Sequence, residues 1–427
     1  VRVRKQVTVL GTLALVSASL AACGGENESS DEIVTLTYAT PVVDEILETG
    51  ERPLIEEFEA AHPGIEVEIE QTPFAEYNTK LTTEMRGGGG PDLGRVNHTD
   101  IQMYAAAGFL RPLDDLVADG TLATDRLISG LVDVGQVEGA QLTLPLTTDA
   151  RVLYVNLGLL EEAGVNATPQ TWDELLEAVQ AFAGTDIYGY GFPTDNDYSL
   201  AYEAAGPYIN TAGGDILDAD GRPAASGNPG TADALTLLQD IVATGAVPPG
   251  LDNIPGDTLS QLFAQQELAM MLGGPWVRSQ IESYSDDLVY GEDWITAPVP
   301  VQEAGDASSS AAGGWQIGMF EATEHPEEAA ALLAWLTEPE NLQALNVDEA
   351  FPPTTDGLEV APWGEDEFYS AFAEVLPNAQ VPITPVARVA EIAAAFESSL
   401  EPAVIQPGNS IEEALAAFDA SAEEILQ

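Results

Sequence analysis

Few residues in this chain have the types and spacing to do covalent chemistry. Its three histidines are His62, His98 and His325. His62 and His325 each stand directly before proline at an expected helix boundary, so only His98 is left for base work. No G-x-S-x-G nucleophile elbow is present. Cys23 is the single cysteine, which excludes internal disulfides and thiol catalysis. Carboxylates number 71, so counting does not exclude a pair suited to glycosidic chemistry, although most such pairs are solvated faces. The clearest signal is of another kind. It lies in Leu262 to Trp276, LFAQQELAMMLGGPW.

Within that stretch, Leu268–Leu272 is a short apolar run bounded by Gly273, Gly274 and Pro275, which reads as a buried strand of a parallel sheet. The glycines let the chain leave the sheet sharply, and Pro275 suits the first turn of a helix. Trp276 is then expected just past the carboxyl end of a strand, where open α/β sheets bind ligands. A flat ring preceded by small residues is a stacking platform. The alternative is a core tryptophan at a helix start.

Other elements must bring further groups to the same edge. Residues 33–39 alternate as a first strand, a helix follows through Ile46, Leu54, Ile55 and Phe58, and residues 65–69 form the next strand. Such a unit implies a right-handed parallel crossover. The strand over 93–96 delivers Asn97, His98 and Thr99 at its end, and the strand over 188–192 is followed by Asp195, Asn196, Asp197 and Tyr198. Gly313, Gly314 and Trp315 precede a strand over 316–320. Thr171 with Glu174 is a capping box. The glycine run at 87–90 lacks the Lys-Ser/Thr of a phosphate loop. Gly213–Pro223 has the wrong acids for a calcium loop and reads as a turn hairpin. No metal and no other cofactor is expected.

At 427 residues the chain is long enough for two or more domains. Only 13 basic residues face the 71 acidic ones, for a formal charge of −58, and Lys5 and Lys80 are the only lysines. So negative a surface excludes nucleic acid and anionic lipid as partners. It also repels itself unless salt screens it, with a Debye length of about 3 Å at 1 M. A saline exterior is therefore expected, against plain lineage bias away from lysine. A secretory signal is expected over residues 1–22, from Arg2, Arg4, Lys5 and the apolar run after them. A flexible tether follows over 23–32.

Several segments together carry a family resemblance. They are FEAAHPGIEVEIEQTPFAEYNTKL, GGGGPDL, AGFLRPLDDL, LPLTTDARVLYVN, PQTWDELLEA, the Gly-Pro-Trp stretch and the closing SIEEAL. In this order they resemble the bacterial extracellular solute-binding proteins of family 1, the maltose-binding-protein-like sugar subunits of ABC importers. The resemblance spans nearly the whole chain after the signal. It implies an α/β, two-lobed, type II periplasmic-binding-protein fold, each lobe a mostly parallel sheet flanked by helices, with a ligand cleft between. Lobe 1 is expected over 33–146 plus 299–337, and lobe 2 over 147–298 plus 338–427.

What the family implies for function is capture of a neutral sugar or oligosaccharide by lobe closure, without catalysis. Delivery would be to a membrane permease with a cytosolic ATPase, by a monomer. Leu20-Ala21-Ala22-Cys23 resembles a lipobox, which implies lipidation of Cys23 and anchoring outside the cell membrane. Trp276 matches the family's sugar-stacking position. Trp315 is expected as a second wall, Gly314 as a close backbone approach, and Asp149 as an acceptor for hydroxyls, with Arg151 structural. An alternative has Asp149 and Arg151 simply pairing at the hinge. Asn97, His98, Asp197, Tyr198 and, weakly, Arg388 are further candidates. Thr40 and Glu45, just after the first strand, complete the set. Two departures stand out, the extreme acidity and the lack of a clear tyrosine or tryptophan after the first strand. Both bear on which ligand is bound more than on the family. The rival readings are a secreted carbohydrate-active hydrolase, a cation-binding surface protein, and a binder of this fold for another solute.

Overall fold

The computed structural model describes residues 33–427, except Asp197, Asp286, Asp348 and Ala387, and does not describe the side chains of Glu45 and Ala75. The signal segment, Cys23, the tether and Asp197 therefore lie outside the described residues, as does the Glu45 side chain.

The first sheet runs, in order, Ile65–Gln71, Val34–Thr40, Leu93–Asn97, Trp315–Met319 and Thr143–Pro145. β1 (Val34–Thr40), β2 (Ile65–Gln71) and β3 (Leu93–Asn97) run parallel, as the strand–helix–strand pattern requires. A small hairpin of β4 (Gln136–Val137) and β5 (Ala140–Gln141) leads to β6 (Thr143–Pro145). Alternation along the strands supplies two cores. Leu36, Tyr38 and Leu93 face one, with Phe58 and Leu333, while Ala39 and Val96 face the other, with Tyr77, Tyr104 and Phe320.

The second sheet is built on β7 (Val152–Asn156), flanked by β8 (Met270–Gly273) and β9 (Trp294–Ala297). The strand ending in Gly273 was expected to be parallel. It runs antiparallel to β7, which the chain enters straight from the first lobe with no helix between, and not through a βαβ crossover. Parallel pairing survives on its other edge, where Tyr188 bridges Leu268 and Gly191 bridges Met271. Helices Trp172–Gln180, Pro229–Ala243, Val389–Ile405 and Ile411–Leu426 cover this sheet. The Thr171–Glu174 capping box is formed, and Trp172 is structural, its indole N–H donating to Pro300 O at 2.9 Å.

β10 (Trp315–Met319) returns to the first sheet, antiparallel to β3. The chain thus crosses between lobes three times, and the crossings lie side by side. Thr148 and Phe351 exchange backbone hydrogen bonds of 3.0 and 2.9 Å, and Asp149 and Gly313 exchange bonds of 3.2 and 3.1 Å. The first crossing runs through Thr148 and Asp149. The other two fall later. Val301 still bridges Thr171 and Ala311 bridges Gln380, so the second lobe continues past 299 to 311. The helix Pro339–Asn346 puts Leu342 and Leu345 into the first core, so that crossing comes after 346 rather than at 338. An amphipathic helix shows that it packs, not on which sheet.

A buried ion network ties the third crossing to the first lobe. Arg95, fully buried on β3, donates to Glu51 at 2.6 Å and to both carboxylate oxygens of Glu349 at 2.5 and 2.7 Å, while Tyr38 donates to Glu51 at 2.7 Å. Arg95→Met would leave two carboxylates buried against each other. Urea unfolding should show a loss of about 3–5 kcal/mol, and a change within about 0.5 kcal/mol, as for surface substitutions, would show the network to be dispensable.

Candidate functional site

The carboxyl ends of β1 and β3 and the start of β10 share one edge of the first sheet, since Trp315 pairs with Asn97. This edge faces the second lobe. Across it stands Trp276, which immediately precedes the helix Val277–Tyr284. The ring lies close over Gly274, where an added Cβ would sit 2.1 Å from its Cζ3. Tyr154 holds that loop by donating to Gly274 O at 2.7 Å. The half-buried indole packs into the second-lobe core and also against Val42, Ile46 and Leu47, which follow β1. It therefore bridges the two lobes. The guanidinium carbon of Arg151 lies 5.2 Å over the ring centroid, a cation–π contact.

Arg151 in turn is bracketed by acids. It bonds to Asp149 and, through Nε at 3.0 Å, to Glu203. Asp149 is 6% exposed, and burial, opposed by the pull of Arg151, raises its carboxyl to about 6. Asp149, expected as an acceptor for ligand, pairs here with Arg151. Glu203 had no sequence signal, being one acid among 71.

Gly314 has φ 137, and a Cβ there would meet Thr147 O at 2.4 Å, so the crossing admits only glycine. Its carbonyl lies 3.0 Å from His98 Nδ1. A carbonyl only accepts, so Nδ1 carries the hydrogen and Nε2 is a bare acceptor. Nε2 is buried and has no hydrogen-bond partner. Burial first, and the Arg151 charge after it, lowers His98 to about 4, so the ring is neutral near pH 7. Its ring neighbour is Tyr202 of the second lobe, at 5.9 Å. Thr40 is fully buried at the end of β1, and its hydroxyl has no partner. Asn97 turns its side-chain oxygen to Thr99 N and Oγ1, at 3.1 and 2.9 Å. Trp315 is partly buried, with Phe74 and Tyr77 edge-on to it at 6.0 Å.

Two further candidates have protein partners of their own. Tyr198, expected as a stacking ring, donates at 3.3 Å across the lobes to Asp100. Arg388 is not at the cleft. It stands exposed before the helix Val389–Ile405, bonded to Glu391 at 2.7 Å and to Ile425 O. A cation satisfying the carbonyls that end the last helix explains it better. Asp100, three residues past Asn97, carries no distinguishing signal in the sequence. It is 5% exposed, and burial raises it to about 7 against the hydrogen bonds from Tyr198 and Asn78.

Residues 45–343 match the family described as bacterial extracellular solute-binding protein, and the chain belongs to that family. A Brucella abortus relative named only as a binding protein is 28% identical over 337 residues, 77% of this chain and 78% of its own. The arabinooligosaccharide-binding protein of Halalkalibacterium halodurans is 25% identical over 82% of this chain and 78% of its own. Among solved structures, an ABC transporter solute-binding protein of Thermotoga lettingae, bound to α-D-tagatose, superposes with a TM-score of 0.81 at 26% identity, over 92% of this chain and all of that one. The fold is thus the two-lobed type II periplasmic-binding-protein fold, and its role is to bind a solute.

Asp100 holds a proton in the fold up to about pH 7, whereas the unfolded chain releases it near pH 4. Folding then takes up a proton between those values, so this residue's contribution to stability falls as pH rises from 4 to 7. Asp100→Asn should gain on the parent across that window by up to about 4 kcal/mol, read from denaturant melts at pH 4 to 8. Parallel curves for the two proteins would show Asp100 already ionised in the fold.

Proposed function

We propose that this protein captures an uncharged sugar or oligosaccharide between its lobes and delivers it, unaltered, to a membrane permease driven by a cytosolic ATPase. The observation that carries this reading is the Trp276 indole, seated in one lobe and closed against Val42, Ile46 and Leu47 of the other. Opening the lobes uncovers that side of the ring, and the slightly positive C–H face of a sugar suits its negative face. His98 Nε2 and the Thr40 hydroxyl, both buried without partners, can take up sugar hydroxyls. Arg151, beside the indole, is already matched by Asp149 and Glu203, so it leaves little attraction for a phosphate or uronate. A micromolar ligand contributes about 8 kcal/mol, enough to bias an open–closed equilibrium if only the closed form makes both sets of contacts. Relatives that bind a single-ring sugar and an oligosaccharide both support a carbohydrate, without fixing its length.

The same reading places the protein outside the cytoplasm, held by a lipid on Cys23. It rests on the lipobox-like Leu20-Ala21-Ala22-Cys23 and on the extracellular character of the family. The acidic surface fits a saline exterior.

A thermal-shift screen of neutral sugars, then calorimetry on the best, tests the capture. Trp276→Ala should weaken that sugar by about tenfold to a hundredfold, with unchanged affinity demoting the ring to packing. The matching uronate should bind much more weakly than the neutral sugar, and equal affinity would overturn the uncharged-ligand reading. Cys23→Ser, expressed in a bacterium, should move the protein from the membrane pellet to the soluble exported fraction, and continued pelleting would defeat the anchor.

A further inference from the structure

The helix Phe74–Arg86 buries one stripe, Tyr77, Leu81 and Met85, against the first sheet. Phe74 stands one step further along that stripe, at spacing i−3 from Tyr77, and so passes beyond the carboxyl edge of the sheet. It is 53% exposed, and among the described residues it is the only phenylalanine or tryptophan left so open. Its edge contact with Trp315, at 6.0 Å, joins it to the ring that starts β10. A large aromatic kept out of the core beside a cleft is informative in a way that a scattered exposed leucine is not.

The same edge carries Trp276 at its other end, against the cluster of Val42, Ile46 and Leu47 that follows β1, on which Ile69 of β2 also packs. From β2 to β10 the sheet order runs through β1 and β3, three strand spacings, or about 14 Å. That is longer than one sugar ring. Thr40 ends β1 and Asn97 ends β3, the two strands between. The loop after β1 is held at this edge by Gln71, whose amide donates to Val42 O at 2.8 Å and to Asp44 at 2.9 Å.

We propose that Phe74, backed by Trp315, forms a second ring-binding subsite on the first lobe, so that the protein prefers a ligand of at least two linked sugar rings over a monosaccharide. The subsite rests on the sugar-capture reading above and names the size class that reading leaves open. Phe74 acts as a specificity-determining residue. It offers an apolar face to the outer ring of a chain whose inner ring meets Trp276, and a monosaccharide held at Trp276 does not reach it.

Calorimetry with three matched series decides this: glucose, maltose and maltotriose; xylose, xylobiose and xylotriose; arabinose, arabinobiose and arabinotriose. In the series that binds, the parent should hold the trisaccharide at least about tenfold tighter than the monosaccharide. Phe74→Ala should erase most of that gain and leave the monosaccharide unchanged. Phe74→Trp should restore it, and Trp276→Ala should weaken every member. Equal affinity of the parent for one ring and three, or a trisaccharide affinity indifferent to Phe74→Ala, overturns the subsite while leaving sugar capture standing. An equal loss for one ring and three on Phe74→Ala also overturns it, because the ring would then act through the fold. No binding in any series defeats the sugar reading itself.

Discussion

Either sheet has apolar residues enough for its own core. What makes one molecule of the two is a narrow ribbon of backbone, in which residue 351 pairs with 148 and residue 149 with 313. The ribbon admits no spare atoms. A Cβ at Gly313 would lie 2.4 Å from Asp149 Oδ1, and one at Gly314 would meet Thr147 O. Each end is fastened to a different lobe. Ser310 Oγ accepts from Arg151 N at 2.8 Å and donates to Arg151 O at 2.7 Å on the second-lobe side. Glu349 is clamped by Arg95 on the first. With its ends fixed, the ribbon is a short seam between the lobes, and it is about this seam that the closure proposed above would turn.

Electrostatics at that axis follow from scarcity of cations. The chain has 13 basic side chains; among the described residues two of them are buried, Arg95 and Arg151, and each is held between two carboxylates. Arginine suits such positions because its planar fork can serve two acids while remaining charged. The result at the cleft is a set of neutral or matched groups: His98 kept uncharged by burial, Asp100 protonated to near neutrality, Asp149 paired. An acidic exterior and an electrically quiet interior coexist because the burial that raises a carboxyl acts over a few ångströms, and salt screens the rest.

Much of this was legible residue by residue. The Gly-Gly-Pro-Trp exit places Trp276 at a strand end because glycine and proline have narrow backbone meanings there, and the Thr171 cap is legible for the same reason. The lobe that takes the helix Pro339–Asn346 is not legible, because Leu342 and Leu345 announce burial without naming the sheet that buries them. Long-range partners were equally hidden. Nothing local connects Arg95 to Glu349, 254 residues away, or Arg388 to Ile425. Phe74 stood in a recognised motif, yet only the depth of its helix on the sheet reveals that its stripe runs past the core.

The first sheet also carries a consequence for how such a chain can be made. Its central edge stays unfinished until β10 arrives, since β3 pairs on that side only with residues 315–319. Helix Pro339–Asn346, which completes the first core, comes later still. A polypeptide emerging from its amino end must therefore wait for more than half its length before the first lobe can close, with β3 open along one side. That delay leaves β3 without its partner strand while the residues before 315 are made. It also means that no fragment ending before residue 346 contains a whole lobe.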